Sequence, residues 1–161
     1  MTFKQISRRD VLAVGLAAPF VLSSAVAQQR ERPPAIAGEA VQEFVIAGHR
    51  DLDKVKEMLA ETPGLLNATW DWGAGDFETA LGGAGHMGRR DIAEYLIGEG
   101  ARADVFVHAM LGDLAVVKAM LTRFPNLKDA KGPHGIPLKR HAEKGEERAK
   151  AVLEYLESLD D

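Results

Sequence analysis

The stretch Thr79 to Ala101, TALGGAGHMGRRDIAEYLIGEGA, leaves few options for the fold. Two short helical pieces are legible in it, TALGGAGHM and RRDIAEYLI, with Gly88 between them and Gly98 and Gly100 closing the second. In the second piece Ile92, Leu96 and Ile97 recur at helical rather than strand spacing. Gly88 suits a tight turn because glycine reaches positive φ without steric cost. A helix, a turn, an antiparallel helix and a closing Gly-Ala make one repeat unit.

Three further units follow the same plan. The first places helices around Gly38 to Gly48 and Asp51 to Ala60, and aligning DLDKVKEML with DLAVVKAML puts Arg50 at the turn glycine's position. The third, VFVHAMLGDLAVVKAML, turns at Gly112; the fourth, IPLKRHAEKG, turns at Gly145. Its second helix, GEERAKAVLEYLESL, needs extra residues to bring Val152, Tyr155 and Leu156 into register, and its charge suits a terminal cap. Glu61 to Glu78 forms a long connector, broken by Pro63-Gly64 and turned at Gly73 and Gly75. Between the second and third units the connector shrinks to Ala101–Asp104.

Thr79, Leu81, Ala84, Gly88, Ile92, Leu96, Gly100 and Ala101 fall on the ankyrin pattern T-P-L-H-x-A-A-x-x-G with its Leu-rich second helix, as do Pro137, Leu138, Ala142 and Gly145. The chain thus resembles the ankyrin-repeat family, whose period is about 33 residues. The strict histidine of the pattern is replaced by Phe44, Gly82, Phe106 and Lys139. The resemblance implies an all-α ankyrin-repeat solenoid of about four helix-turn-helix repeats over residues 38–161, with one long and one short inter-repeat finger. It also implies a binding module, since solenoids present extended concave surfaces.

Residues 1–27 read as a secretory signal peptide. Lys4, Arg8 and Arg9 precede an apolar run from Val11 to Leu22, and Ala25-Val26-Ala27 supplies a small-residue cleavage site. The run is too short for a membrane span. Ser7-Arg8-Arg9-Asp10-Val11-Leu12 resembles a twin-arginine signal, which implies an exported, periplasmic protein of the bacterial ankyrin-repeat kind, with no membrane insertion after cleavage. Residues 28–37, QQRERPPAIA, read as a flexible tether.

The 161 residues carry a net charge of −4, which argues against nucleic acid as the partner. There is no cysteine, so thiolate chemistry and disulfides are excluded. Gly83 to Gly88 satisfies G-x-G-x-x-G and Asp104 follows at a ribose-binding distance, but no buried strand precedes the glycines. The five histidines, His49, His86, His108, His134 and His141, show no metal-ligand spacing, and Gly132-Pro133-His134-Gly135 reads as a tight turn. Neither a catalytic set nor a cofactor motif is present, so the sequence predicts a non-enzymatic module whose partner is another protein.

The predicted docking surface joins two regions. The ankyrin resemblance implies that the residues before the turn glycines, His86, Met87, Met110 and Leu111, fall on the concave face; Trp70, Trp72 and Phe77 stand in the first finger beside Asp71, Asp76 and Glu78. Two arrangements of the tryptophans remain open, exposed anchors or a satellite core beneath the finger. The rival function is small-molecule, metal or enzymatic chemistry at His86, His108 and the finger's acids. Replacing Arg8 and Arg9 together with Lys is expected to strand an uncleaved precursor in the cytoplasm, because the export receptor reads the arginine pair. Immunoblotting of fractionated cells checks this; normal processing would remove the twin-arginine assignment.

Overall fold

The computed structural model describes residues 33–160. The signal segment 1–27 with Arg8, Arg9, Ala25 and Ala27, and the tether up to residue 32, lie outside the described residues. The remainder is mostly helical, with one small two-stranded sheet. Four helix pairs follow one another: α1 (Gly38–Gly48) with α2 (Leu52–Glu61), α3 (Ala80–Met87) with α4 (Arg90–Gly98), α5 (Val105–Leu111) with α6 (Leu114–Arg123), and α7 (Leu138–Lys144) with α8 (Lys150–Glu157). The connector before α3 is a hairpin, with β1 (Thr69–Asp71) antiparallel to β2 (Phe77–Thr79) and Trp70 opposite Glu78. No described helix is long and apolar enough to cross a membrane.

Local chemistry sets the boundaries. The side chains of Asp51, Thr79 and Asp104 accept hydrogen bonds from the first free N–H groups of α2, α3 and α5. Asp104, which stands where a ribose-binding acid would, is therefore a helix cap. Gly88 and Gly112 are left-handed at φ 73° and 81° and close α3 and α5. At Arg50 the chain turns without a left-handed residue, and near Gly145 the left-handed position belongs to Glu146 instead. The extra residues of the fourth unit form a 3₁₀ turn, Glu146–Ala149, ahead of α8.

Packing runs through the odd-numbered helices. α1 lies on α3, α3 on α5 and α5 on α7, while the even helices cover the outside. Phe44, Leu65, Leu81, Ile92 and Leu96 fill one core with Val107 and Met110 of α5; Val105 and Ala109 of the same helix join a second core with Val117, Leu138 and Val152. Ile36, expected in a free tether, packs on the first core. In a regular repeat array each unit touches only its neighbours. Here α3 also touches α7, two units on. The four-residue link Ala101–Asp104 and the small side chains of α3 permit that approach.

Arg89 donates to the Arg50 carbonyl, and Arg90 to the carbonyls of Met110 and Leu111, so one turn of the array is tied to those on either side. At Gly88 a Cβ would stand 2.8 Å from the Lys144 carbonyl oxygen. Gly88→Val, which adds left-handed strain to that clash, is expected to destabilise the protein by more than about 1 kcal/mol. An unchanged midpoint of urea unfolding would contradict it.

Candidate metal centre

The contact between α3 and α7 has a chemical counterpart. His49, Glu78, His86 and His134 converge so that one ligand atom from each lies within 4.8 Å of all the others. They come from the end of α1, from β2, from α3 and from the 3₁₀ turn Pro133–Gly135. Glycines make room for them. At Gly48 a Cβ would stand 2.6 Å from Ala80 Cα, so α1 presses its last turn onto the start of α3. That carries the His49 ring over Gly83, where a Cβ would lie 2.7 Å from the ring. The G-x-G-x-x-G match thus records close packing of helices and an imidazole.

The hairpin supplies the acids. Successive strand residues point to opposite faces, so Trp70 and Trp72 share a face with Asp76 and Glu78. Glu78 is 1% exposed and His86 8% exposed. Glu78 Oε2 lies 3.3 Å from His49 Nε2 and 3.3 Å from His134 Nε2, and accepts a hydrogen bond from Trp72 Nε1 at 2.8 Å. Glu78 Oε1 lies 3.1 Å from His86 Nδ1, yet the two make no hydrogen bond and are buried without any partner. Burial alone would push the Glu78 carboxyl up, but His49, His86 and Trp72 together hold it well below the usual carboxylate range. The hydrogen bond to Glu78 raises His49 against the opposing effect of burial.

The outer nitrogens of two rings are fixed. His49 donates Nδ1–H to the Val45 carbonyl at 2.8 Å. His134, left-handed at φ 58°, gives its backbone N–H to Asp76 Oδ1 at 2.8 Å and its Nδ1–H to Oδ2 at 2.9 Å. Both rings therefore turn Nε2 inward, and both meet acceptors on either side. Nε2 of each ring is thereby the nitrogen left free to ligate a cation. Three nitrogens and one carboxylate are a donor set for divalent first-row transition ions. The ring nitrogens stand 3.1–3.3 Å from the carboxylate, His49 and His134 at Oε2 and His86 at Oε1, near the separation of about 3.3 Å that bonds of about 2.0–2.1 Å set between neighbouring ligands of a tetrahedral ion; the whole set lies within 4.8 Å.

Other candidates stand elsewhere. His108 pairs with Asp113 at 2.8 Å and lies outside the cluster. His141 is buried behind His86, donates to the Pro137 carbonyl, and is pushed down by desolvation. Asp71 accepts from the N–H groups of Gly73 and Gly75 and so holds the hairpin loop. Trp70 is half-buried, 3.6 Å from where a Gly38 Cβ would stand, and Trp72 is half-buried over the cluster. Phe77 and Met87 are exposed, at 60% and 48%. Met110 corrects the expected concave face: it is 0% exposed, a core residue, and Leu111 is partly buried against the same core. His86, expected on a docking surface, is buried in the cluster.

In comparisons with known proteins, no family model, no curated protein and no solved structure matched the chain. The glycine beneath His49 gives a direct test of the packing. Gly83→Ala improves helix propensity by about 1 kcal/mol, but its methyl would displace the His49 ring. The variant is expected to shift the His49 side-chain resonances in NMR spectra while the fold is kept. Unperturbed His49 resonances would refute the packing.

Proposed function

We propose that the chain is an exported helical-repeat protein of the ankyrin type that holds one divalent first-row transition ion, Zn²⁺ or a neighbour in that series, at His49, Glu78, His86 and His134. The observation that carries it is the buried pair Glu78 Oε1 and His86 Nδ1, 3.1 Å apart without a hydrogen bond. Buried polar atoms are nearly always paired, and an ion between these two would satisfy both. Imidazole nitrogens favour Zn²⁺ and its neighbours over the oxygen-seeking Mg²⁺ and Ca²⁺. Four protein ligands fill a tetrahedral shell, which suits a structural or carrier site and leaves no open position for a reaction.

The ankyrin assignment is supported by the left-handed Gly88 and Gly112 and by the succession of odd-numbered helices. Export is supported by the Arg8-Arg9 signal alone. Protein docking has less support than metal binding. The apolar strip it needs is interrupted at Met110, and Trp72 is engaged with Glu78.

Elemental analysis of the mature protein after loading and desalting is expected to give one Zn²⁺ per chain. Glu78→Gln removes a charge and a ligand oxygen, and is expected to weaken zinc by more than about 100-fold; Asp76→Asn only loosens His134, for a loss of about 10- to 100-fold. Competition with a chromophoric chelator measures both. Zinc at about 100 times its dissociation constant should also stabilise the parent by about 2.7 kcal/mol, seen as a rise in melting temperature. Absence of zinc from the loaded parent, or equal affinity in Glu78→Gln, would end the proposal.

A further inference from the structure

The three imidazoles of the cluster differ in what their outer nitrogen meets. His49 gives Nδ1–H to the Val45 carbonyl and His134 gives Nδ1–H to Asp76. Such partners orient metal-binding histidines and raise their basicity. His86 is turned the other way, with Nδ1 toward Glu78, so its outer nitrogen is Nε2. Among the described residues nothing accepts a hydrogen bond from Nε2, and that atom is not among the buried polar atoms left without a partner. His86 lines a cavity of ≈ 290 Å³ with Gly135, Ile136, Pro137, Arg140 and Lys144.

The charges lining this cavity are of one sign. Arg140 also reaches Glu143 of its own helix, while Lys144 makes no ion pair among the described residues. A metal ion on Nδ1 would confine the remaining imidazole proton to Nε2 and make that N–H a stronger donor. The wall would then present one N–H and two cationic side chains; Arg140 is shared with Glu143, and Lys144 and the N–H have no acceptor among the described residues.

We infer that this cavity takes a small carboxylate, which accepts the His86 Nε2–H and lies against Arg140 and Lys144. The inference rests on the metal reading of the cluster. Its volume falls at the lower limit of ordinary ligand sites, about 300 Å³, so the acid has few heavy atoms. Because ion and carboxylate share one imidazole, each strengthens the other's binding by the same factor. The carboxylate would thus complete the outer shell of His86 as the Val45 carbonyl and Asp76 do for the other two rings.

The test uses mature protein, metal-free and loaded with one equivalent of Zn²⁺, titrated with sodium acetate and followed by NMR. Saturable shifts are expected at the amides of Gly135, Ile136 and Lys144, with tighter binding to the zinc form. Arg140→Gln/Lys144→Gln is expected to weaken acetate by about tenfold or more, as loss of charge-assisted contacts does, while zinc affinity without acetate stays within about twofold, since neither residue is a ligand. In protein loaded with Co²⁺ the strong d–d bands of a four-coordinate ion should keep their intensity at saturating acetate, because the acid adds no fifth ligand. Equal acetate binding by metal-free and zinc forms, an unaffected double variant, or collapse of the Co²⁺ band intensity would each overturn the inference while leaving the metal site in place. Failure of the parent to take up zinc, measured before any acetate is added, would overturn both.

Discussion

The buried carboxylate of Glu78 is the constraint from which the middle of this molecule follows. A charge withdrawn from water costs several kcal/mol unless it is met by opposite charge and hydrogen bonds. Glu78 meets three imidazoles and an indole N–H, drawn from the first finger, α1, α3 and the loop before α7. Trp72 and His86 are near it in sequence, but His49 and His134 come from distant segments. The charge can be buried only if distant segments arrive together, so Glu78 couples the hairpin to the C-terminal loop.

Small residues make that convergence sterically feasible. α3 is built largely of glycine and alanine, and it touches α1, α5 and α7 at once. A helix of such composition has weak intrinsic propensity, since glycine interior to a helix costs about 1 kcal/mol against alanine. Its stability therefore comes from the neighbours that close around it. The left-handed His134, a conformation that costs a side-chain-bearing residue about 1–3 kcal/mol, is held in the same way, by two hydrogen bonds to Asp76.

Much of the secondary structure was legible in the sequence because its signals are local. Helical spacing at Ile92, Leu96 and Ile97 and the turn glycines 88 and 112 place helices and turns correctly without knowledge of anything distant. The cluster was not legible for the opposite reason. His49, Glu78, His86 and His134 have no fixed spacing, and what joins them is the approach of α7 to α3, which breaks the nearest-neighbour logic of a repeat array. One signal was available: Trp70, Trp72, Asp76 and Glu78 alternate in the hairpin, which put the acids on the same face as the tryptophans. Placing those acids on a protein-docking surface missed it. Met110 failed differently, since the register at Gly112 was right but the residue turns into the core.

The arrival of His134 on a late segment has a consequence in time. As the chain is synthesised, the first three ligands can approach one another as soon as α3 has packed on α1. The fourth does not exist until the loop before α7 has been made. A nascent or truncated chain ending before that loop therefore offers two histidines and a carboxylate, a weaker and less selective set than the whole. On the metal reading proposed above, the ion would be chosen where folding is completed, from the ions present there.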